Sequence, residues 1–138
     1  QKWPNSLIYL YLNNNQFVSI DNQTWPESVV FLDLNSNKIT SLDGQIWPEA
    51  IVQLYLHTNQ ITSIDGQIWP HFMTYLDISS NQITSIDGQS WPLSLTFLSL
   101  STLLVTSIFN QTWPNSLQTL DLSNNEITSL YSRLVWSM

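Results

Sequence analysis

With 138 residues, 43% of them hydrophobic, the chain suits one domain with a core shared along its length. Three cations, Lys2, Lys38 and Arg133, stand against ten carboxylates for a formal charge of -7, which excludes nucleic-acid binding because neutralising phosphates needs clustered Lys and Arg. The absence of cysteine excludes disulfides, thiolate metal sites and a thiol nucleophile, and no apolar run reaches the ~20 residues that span a bilayer.

One interval governs the chain from its start. Trp-Pro falls at Trp3, Trp25, Trp47, Trp69, Trp91 and Trp113, each 22 residues after the last. A strict period of this length marks a solenoid, in which each coil buries its apolar side chains only by stacking on its neighbours. Residues 1–138 therefore read as one repeat domain of six coils, with a divergent segment at 131–138 where Arg133 replaces a column glutamine and Trp136 is out of register. Gln1 is in phase with Gln23 and Gln45, so the chain opens in mid-repeat without a recognisable cap, as an excised piece would. Terminal coils of solenoids need a polar outer face, and self-association through the solenoid ends follows as an expectation.

Within each coil the first element is a short strand. Leu10 and Leu12, Leu32 and Leu34, Leu54 and Leu56, Leu76 and Ile78, Leu98 and Leu100, and Leu120 and Leu122 alternate at period two, which puts each pair on one inward face. One strand per coil makes a parallel sheet only about 25 Å across. An asparagine follows at Asn15, Asn37, Asn59, Asn81 and Asn125, where a buried turn would otherwise leave peptide groups unpaired. The fifth coil has Leu103 there, within Thr102-Leu103-Leu104-Val105, so either its turn is rebuilt or the stretch makes a contact of its own.

Leu117, Leu120, Leu122, Asn125 and Ile127 match every position of the pattern Leu-x-x-Leu-x-Leu-x-x-Asn-x-Leu. The chain thus resembles the leucine-rich repeat family over nearly its whole length. That resemblance implies a solenoid with a parallel sheet on the concave face, an inward asparagine ladder and a noncatalytic binding role for the concave surface.

Next in each coil comes a Thr-Ser or Val-Ser pair and then a turn with Asp21, Asp43, Asp65 or Asp87. Gly44, Gly66 and Gly88 follow the aspartates, with Asn22, Asn110 and Ser132 in the same place elsewhere, and these residues mark a left-handed position. The stacked aspartates are read as Asx-type bonds to their own turns rather than as a metal site. Trp-Pro opens the return arc on the convex side. Because Pro fixes its own φ and extends the preceding residue, the arcs should be irregular or short 3₁₀ turns, with the indole in the outer core and its N–H in need of a partner.

The outward strand positions form the candidate binding surface. One column reads Tyr9, Phe31, Gln53, Tyr75, Phe97, Thr119, and the next Tyr11, Asp33, Tyr55, Asp77, Ser99, Asp121, with His57 further along. Rings supply contact area and polar groups fix orientation, so Tyr9, Tyr11, Phe31, Tyr55, Tyr75 and Phe97 are the expected anchors for a protein or glycan ligand, with Asp33, Asp77 and His57 setting polarity. The competing account is that aromatic residues simply favour strands. A different class of function, a structural subunit assembling into a filament or surface layer, rests on the uncapped start, the low charge, and Leu103, Leu104 and Trp136.

Two sequons, Asn22-Gln23-Thr24 and Asn110-Gln111-Thr112, put candidate glycosylation sites at turn positions and would mean an extracellular or cell-surface glycoprotein. Equally, Asn replaces Gly at a positive φ. His57 and His71 occupy different repeat positions, and no nucleophile, carboxylate pair or phosphate loop stands out from the repeat background, so neither an enzyme nor a cofactor is expected.

Overall fold

The structure, a computed structural model, describes residues 2–130. Gln1 and the segment 131–138, including Ser132, Arg133 and Trp136, lie outside the described residues. Six three-residue strands, β1 (Tyr9–Tyr11), β2 (Phe31–Asp33), β3 (Gln53–Tyr55), β4 (Tyr75–Asp77), β5 (Phe97–Ser99) and β6 (Thr119–Asp121), form one parallel sheet in chain order. Their register equals the sequence period: Tyr9 faces Phe31, then Gln53, Tyr75, Phe97 and Thr119 in turn. Among the described residues there is no helix, so none is long and apolar enough to cross a membrane.

The middle residue of each strand points inward. Leu32, Leu54, Leu76 and Leu98 are wholly buried, and with Leu34, Leu56, Ile78 and Leu100 they form the spine of the core cluster. In coil six the counterparts Leu120 and Leu122 are only partly buried. The return arcs are irregular, and each holds a single i→i+3 bond to a proline carbonyl, as from Ile51 N–H to Pro48 O (3.1 Å) and Met73 N–H to Pro70 O (3.2 Å).

The asparagines satisfy the turns, as the family resemblance implies. Asn59 Nδ2 donates to the carbonyls of Leu34 (3.1 Å), Leu56 (3.0 Å) and His57 (3.3 Å), while its Oδ1 accepts the N–H of Ile39 (3.0 Å). Asn37, Asn81 and Asn125 repeat the arrangement. In coil five Leu103 enters the core at 3% exposure, and no carboxamide reaches Ile83 N–H as Asn81 reaches Ile61. The turn is not rebuilt: Thr102 has φ 53°, like Thr58 at 56° and Ser80 at 52°.

These post-strand positions, with Asn14, Ser36 and Asn124, form a left-handed column that sequence reading misses, because Ser and Thr carry no such signal. The second left-handed column is as expected, at Asn22, Gly44, Gly66, Gly88 and Asn110. Its turn is braced differently from the Asx reading. The bond runs from the backbone N–H of Asp21, Asp43, Asp65 and Asp87 to the Oγ of the serine two residues earlier, at 2.9–3.1 Å, and so belongs to serine rather than to the aspartate carboxylate.

The partner of each indole is a glutamine. Trp25, Trp47, Trp69 and Trp91 donate Nε1–H to Gln45, Gln67, Gln89 and Gln111, each 20 residues further on (2.9–3.2 Å), and each glutamine Nε2 donates back to a carbonyl of the preceding coil. At Trp3 the pattern is missing: among the described residues its buried Nε1 lacks a partner, beside a cavity of about 300 Å³ that Leu12, Phe17, Ile20 and Trp25 also line.

Candidate functional site on the concave face

Alternation along each three-residue strand sends its first and third side chains out of the sheet, so the two outward columns lie side by side across all six coils. Neighbouring rings meet diagonally from Tyr11 as far as Tyr75, and Tyr75 meets its register partner Phe97 directly within the first column. Tyr11 lies 4.9 Å from Phe31, Phe31 5.2 Å from Tyr55, Tyr55 4.7 Å from Tyr75, and Tyr75 4.2 Å from Phe97, between ring centroids. Tyr9 joins at 6.3 Å from Phe31, and the His57 ring meets Tyr55 edge-on at 6.3 Å. The six expected anchors are therefore one continuous ribbon that crosses between the columns from Tyr11 to Tyr75 and runs within the first column at both ends.

The ribbon is not uniformly open. Tyr9 and Tyr11 are 60% and 62% exposed, whereas Phe31, Tyr55, Tyr75 and Phe97 are half-buried against one another. Tyr75 and Phe97 stack within 3° of parallel, so each ring covers a face of the other. Aromatic surface left open to water is costly, and part of that cost is relieved here by mutual packing. The Tyr55 hydroxyl donates to Gln53 Oε1 (3.3 Å). Burial pushes the Tyr55 phenol up, and it pushes Tyr75, assisted by Tyr55 and Asp77, up to about 12.

The aspartates beside the ribbon are held by their own loops. Asp33 Oδ1 accepts the backbone N–H of Asn35 (3.0 Å) and its Nδ2 (2.6 Å), and Asp77 Oδ1 accepts the N–H (3.0 Å) and hydroxyl (2.6 Å) of Ser79. Asp121, which sequence reasoning did not single out, makes the same pair of bonds with Ser123, and those donors hold its carboxyl below the usual range. Its signal was available as the third aspartate at alternate coils. Asp33 is the most enclosed, at 8% exposure. His57 is half-buried, with Nδ1 3.2 Å from Thr58 Oγ1.

The other expected sites lie away from the ribbon. Asn22 and Asn110 are exposed at φ 59° and 64° in the serine-braced turns. His71 sits on an exposed arc, where its backbone N–H and ring both reach Glu49 at 3.3 Å and lower that carboxyl. The two histidines are not brought together.

Family models described as leucine-rich repeats match residues 116–138 and 70–90. No curated protein matches the sequence. The fold is similar to that of a Shigella effector leucine-rich repeat domain, with TM-score 0.80 and 21% identity over 92% of this chain and 54% of that one. It is similar also to YopM from Yersinia enterocolitica, with TM-score 0.77 and 21% identity over 94% of this chain and 31% of that one. An internalin, inlF, of Listeria monocytogenes gives TM-score 0.65 and 24% identity over 91% and 44% of the two chains. The chain thus spans from about a third to about half of the length of each.

Proposed function

For a chain built of leucine-rich repeats we propose a noncatalytic recognition module that binds a protein through its concave face. The observation that carries this reading is the continuous run of Tyr11, Phe31, Tyr55, Tyr75 and Phe97, an aromatic band flanked by oriented carboxylates. Large rings with polar neighbours are the side chains that dominate protein interfaces. A glycan is the weaker fit, because stacking a sugar needs free ring faces and the central rings spend theirs on each other. The proposal extends to an extracellular or cell-surface location with glycans on Asn22 and Asn110; an intact mass unchanged by glycosidase would remove that extension.

The test is a displayed random-peptide library selected in parallel on the wild-type protein and on a Tyr55→Ala, Tyr75→Ala double variant whose circular dichroism matches wild type. Clones that bind wild type should lose about tenfold or more in affinity for the double variant, the loss expected when central anchors are truncated. Clones indifferent to the two substitutions would overturn the assignment.

A further inference from the structure

We propose that the occupant of the concave face is a basic polyproline-II segment with Lys or Arg at every third residue. This rests on the recognition reading above and adds the conformation and chemistry of the partner. The argument starts from charge. The concave columns, from Tyr9 through to Ser123, contain no Lys or Arg, and the third strand position carries Asp33, Asp77 and Asp121. A partner of complementary charge is basic.

Spacing then selects its conformation. The three aspartates share one column at alternate coils, with Tyr55 and Ser99 between them, so successive carboxylates lie about 9.6 Å apart at two strand spacings. A polyproline-II helix has three residues per turn and rises about 9.3 Å, which returns every third side chain to one face. Over the four strand spacings from Asp33 to Asp121 it drifts by only about 0.6 Å. An extended strand repeats its face every second residue, about 6.7 Å, and its third residue points away from the sheet. An α-helix needs seven residues, about 10.5 Å, to restore a face, and it slips by nearly 2 Å over the same span.

The aromatic ribbon supplies the other half of the site. Polyproline segments dock on aromatic-lined surfaces, and here a ring recurs once per coil, with centroids 4.2–5.2 Å apart and interplanar angles from 3° to 40°, so the ribbon offers a continuous line of ring edges along the path of the segment. Each carboxylate is already aimed, because Oδ1 is fixed by the Asn35, Ser79 or Ser123 pair of donors and Oδ2 takes none of those bonds. Asp33 is 8% exposed, so Asp77 and Asp121 carry most of the charge recognition. The segment runs across the strands, from coil to coil.

The experiment uses proline-rich peptides of equal length and equal charge with Arg at every second, third or fourth residue, titrated calorimetrically into the full chain. The every-third peptide should bind tightest, with NMR shifts at the Tyr75 and Phe97 rings. Its affinity should fall as salt rises, and Asp77→Asn and Asp121→Asn should each weaken it about two- to fivefold, the scale of a solvent-accessible ion pair. Asn keeps an acceptor for the Ser79 or Ser123 donors, and Asp121 is the more exposed of the two loops, so that variant stands if the other misfolds. Equal affinity at all three spacings, or none at any, overturns the inference. Library clones that need Tyr55 and Tyr75 but lack every-third basic residues overturn it and leave the recognition reading standing; clones that ignore both tyrosines sink the recognition reading.

Discussion

The molecule carries two stacks of aromatic rings, built on opposite logic. In the tryptophan column the same residue recurs in every coil, the rings lie 4–5% exposed in coils two to five, and stacked neighbours such as Trp25 and Trp47 or Trp69 and Trp91 tilt by only 12–13°. Every one of those four indoles is tied to a glutamine. In the concave ribbon the residue changes from coil to coil, the interplanar angles run from 3° to 48°, and exposure reaches 62% at Tyr11. Identity where every polar atom is satisfied is what stacking demands of a solenoid, since each coil must present the same surface to the next. Variation within a pleated surface is what recognition demands.

The largest effect should therefore come from breaking the buried stack. Trp69→Ala removes a buried ring stacked on Trp91 and takes the indole donor from Gln89 Oε1, and it should cost about 3–5 kcal/mol. Tyr75→Ala removes a ring of similar reach from the half-buried ribbon and should cost about 1–2 kcal/mol. Urea midpoints at constant m measure both. Equal losses would erase the distinction between scaffold and surface.

A smaller effect separates coil three from coil five inside the scaffold itself. Asn59→Leu leaves Leu34 O and Ile39 N–H short of a partner and crowds a leucine against Ile61, so a loss of about 2 kcal/mol is expected. Leu103→Asn does the reverse beside the smaller Val105. It regains an acceptor for Ile83 N–H and gives up a buried aliphatic chain, and the net change should stay within about 1 kcal/mol. Thermal melts of the two variants side by side check the asymmetry; a stabilised Leu103→Asn would show that coil five is a defect rather than an alternative solution.

How much of this was legible before the structure follows from what repeats. Leu54 and Leu56, Asn59, Gly66 and Trp69 recur at a fixed interval with residue types that admit few roles, so strand, ladder, turn and core could be placed from the sequence. The glutamine bond to each indole was equally periodic, yet glutamine is chemically permissive and its column carried no geometric signal. Ser36, Thr58 and Ser80 hid their positive φ because their side chains tolerate ordinary turns equally well. On the concave face the rings could be assigned to columns by the period-two alternation. Their diagonal contacts could not, since whether Tyr55 leans toward Phe31 and Tyr75 depends on rotamers chosen by packing.

The ribbon's packing has a consequence that the tryptophan column, with nothing to titrate, cannot show. In the unfolded chain a tyrosine ionises near 10, whereas Tyr75 in the fold ionises at about 12, chiefly because burial disfavours the phenolate. Between those values the unfolded chain releases a proton that the folded chain retains, so the unfolded state is favoured as pH rises. The contribution of Tyr75 to stability is complete below about pH 10 and is lost as pH climbs toward 12. Tyr75→Phe removes the ionisation and keeps the ring on Phe97, so its stability should fall less steeply than wild type across that window when urea midpoints are followed against pH. Parallel curves would mean that the Tyr75 phenol titrates as it does in open chain, and that the stacked ribbon is wetter at its centre than the 4.2 Å contact implies.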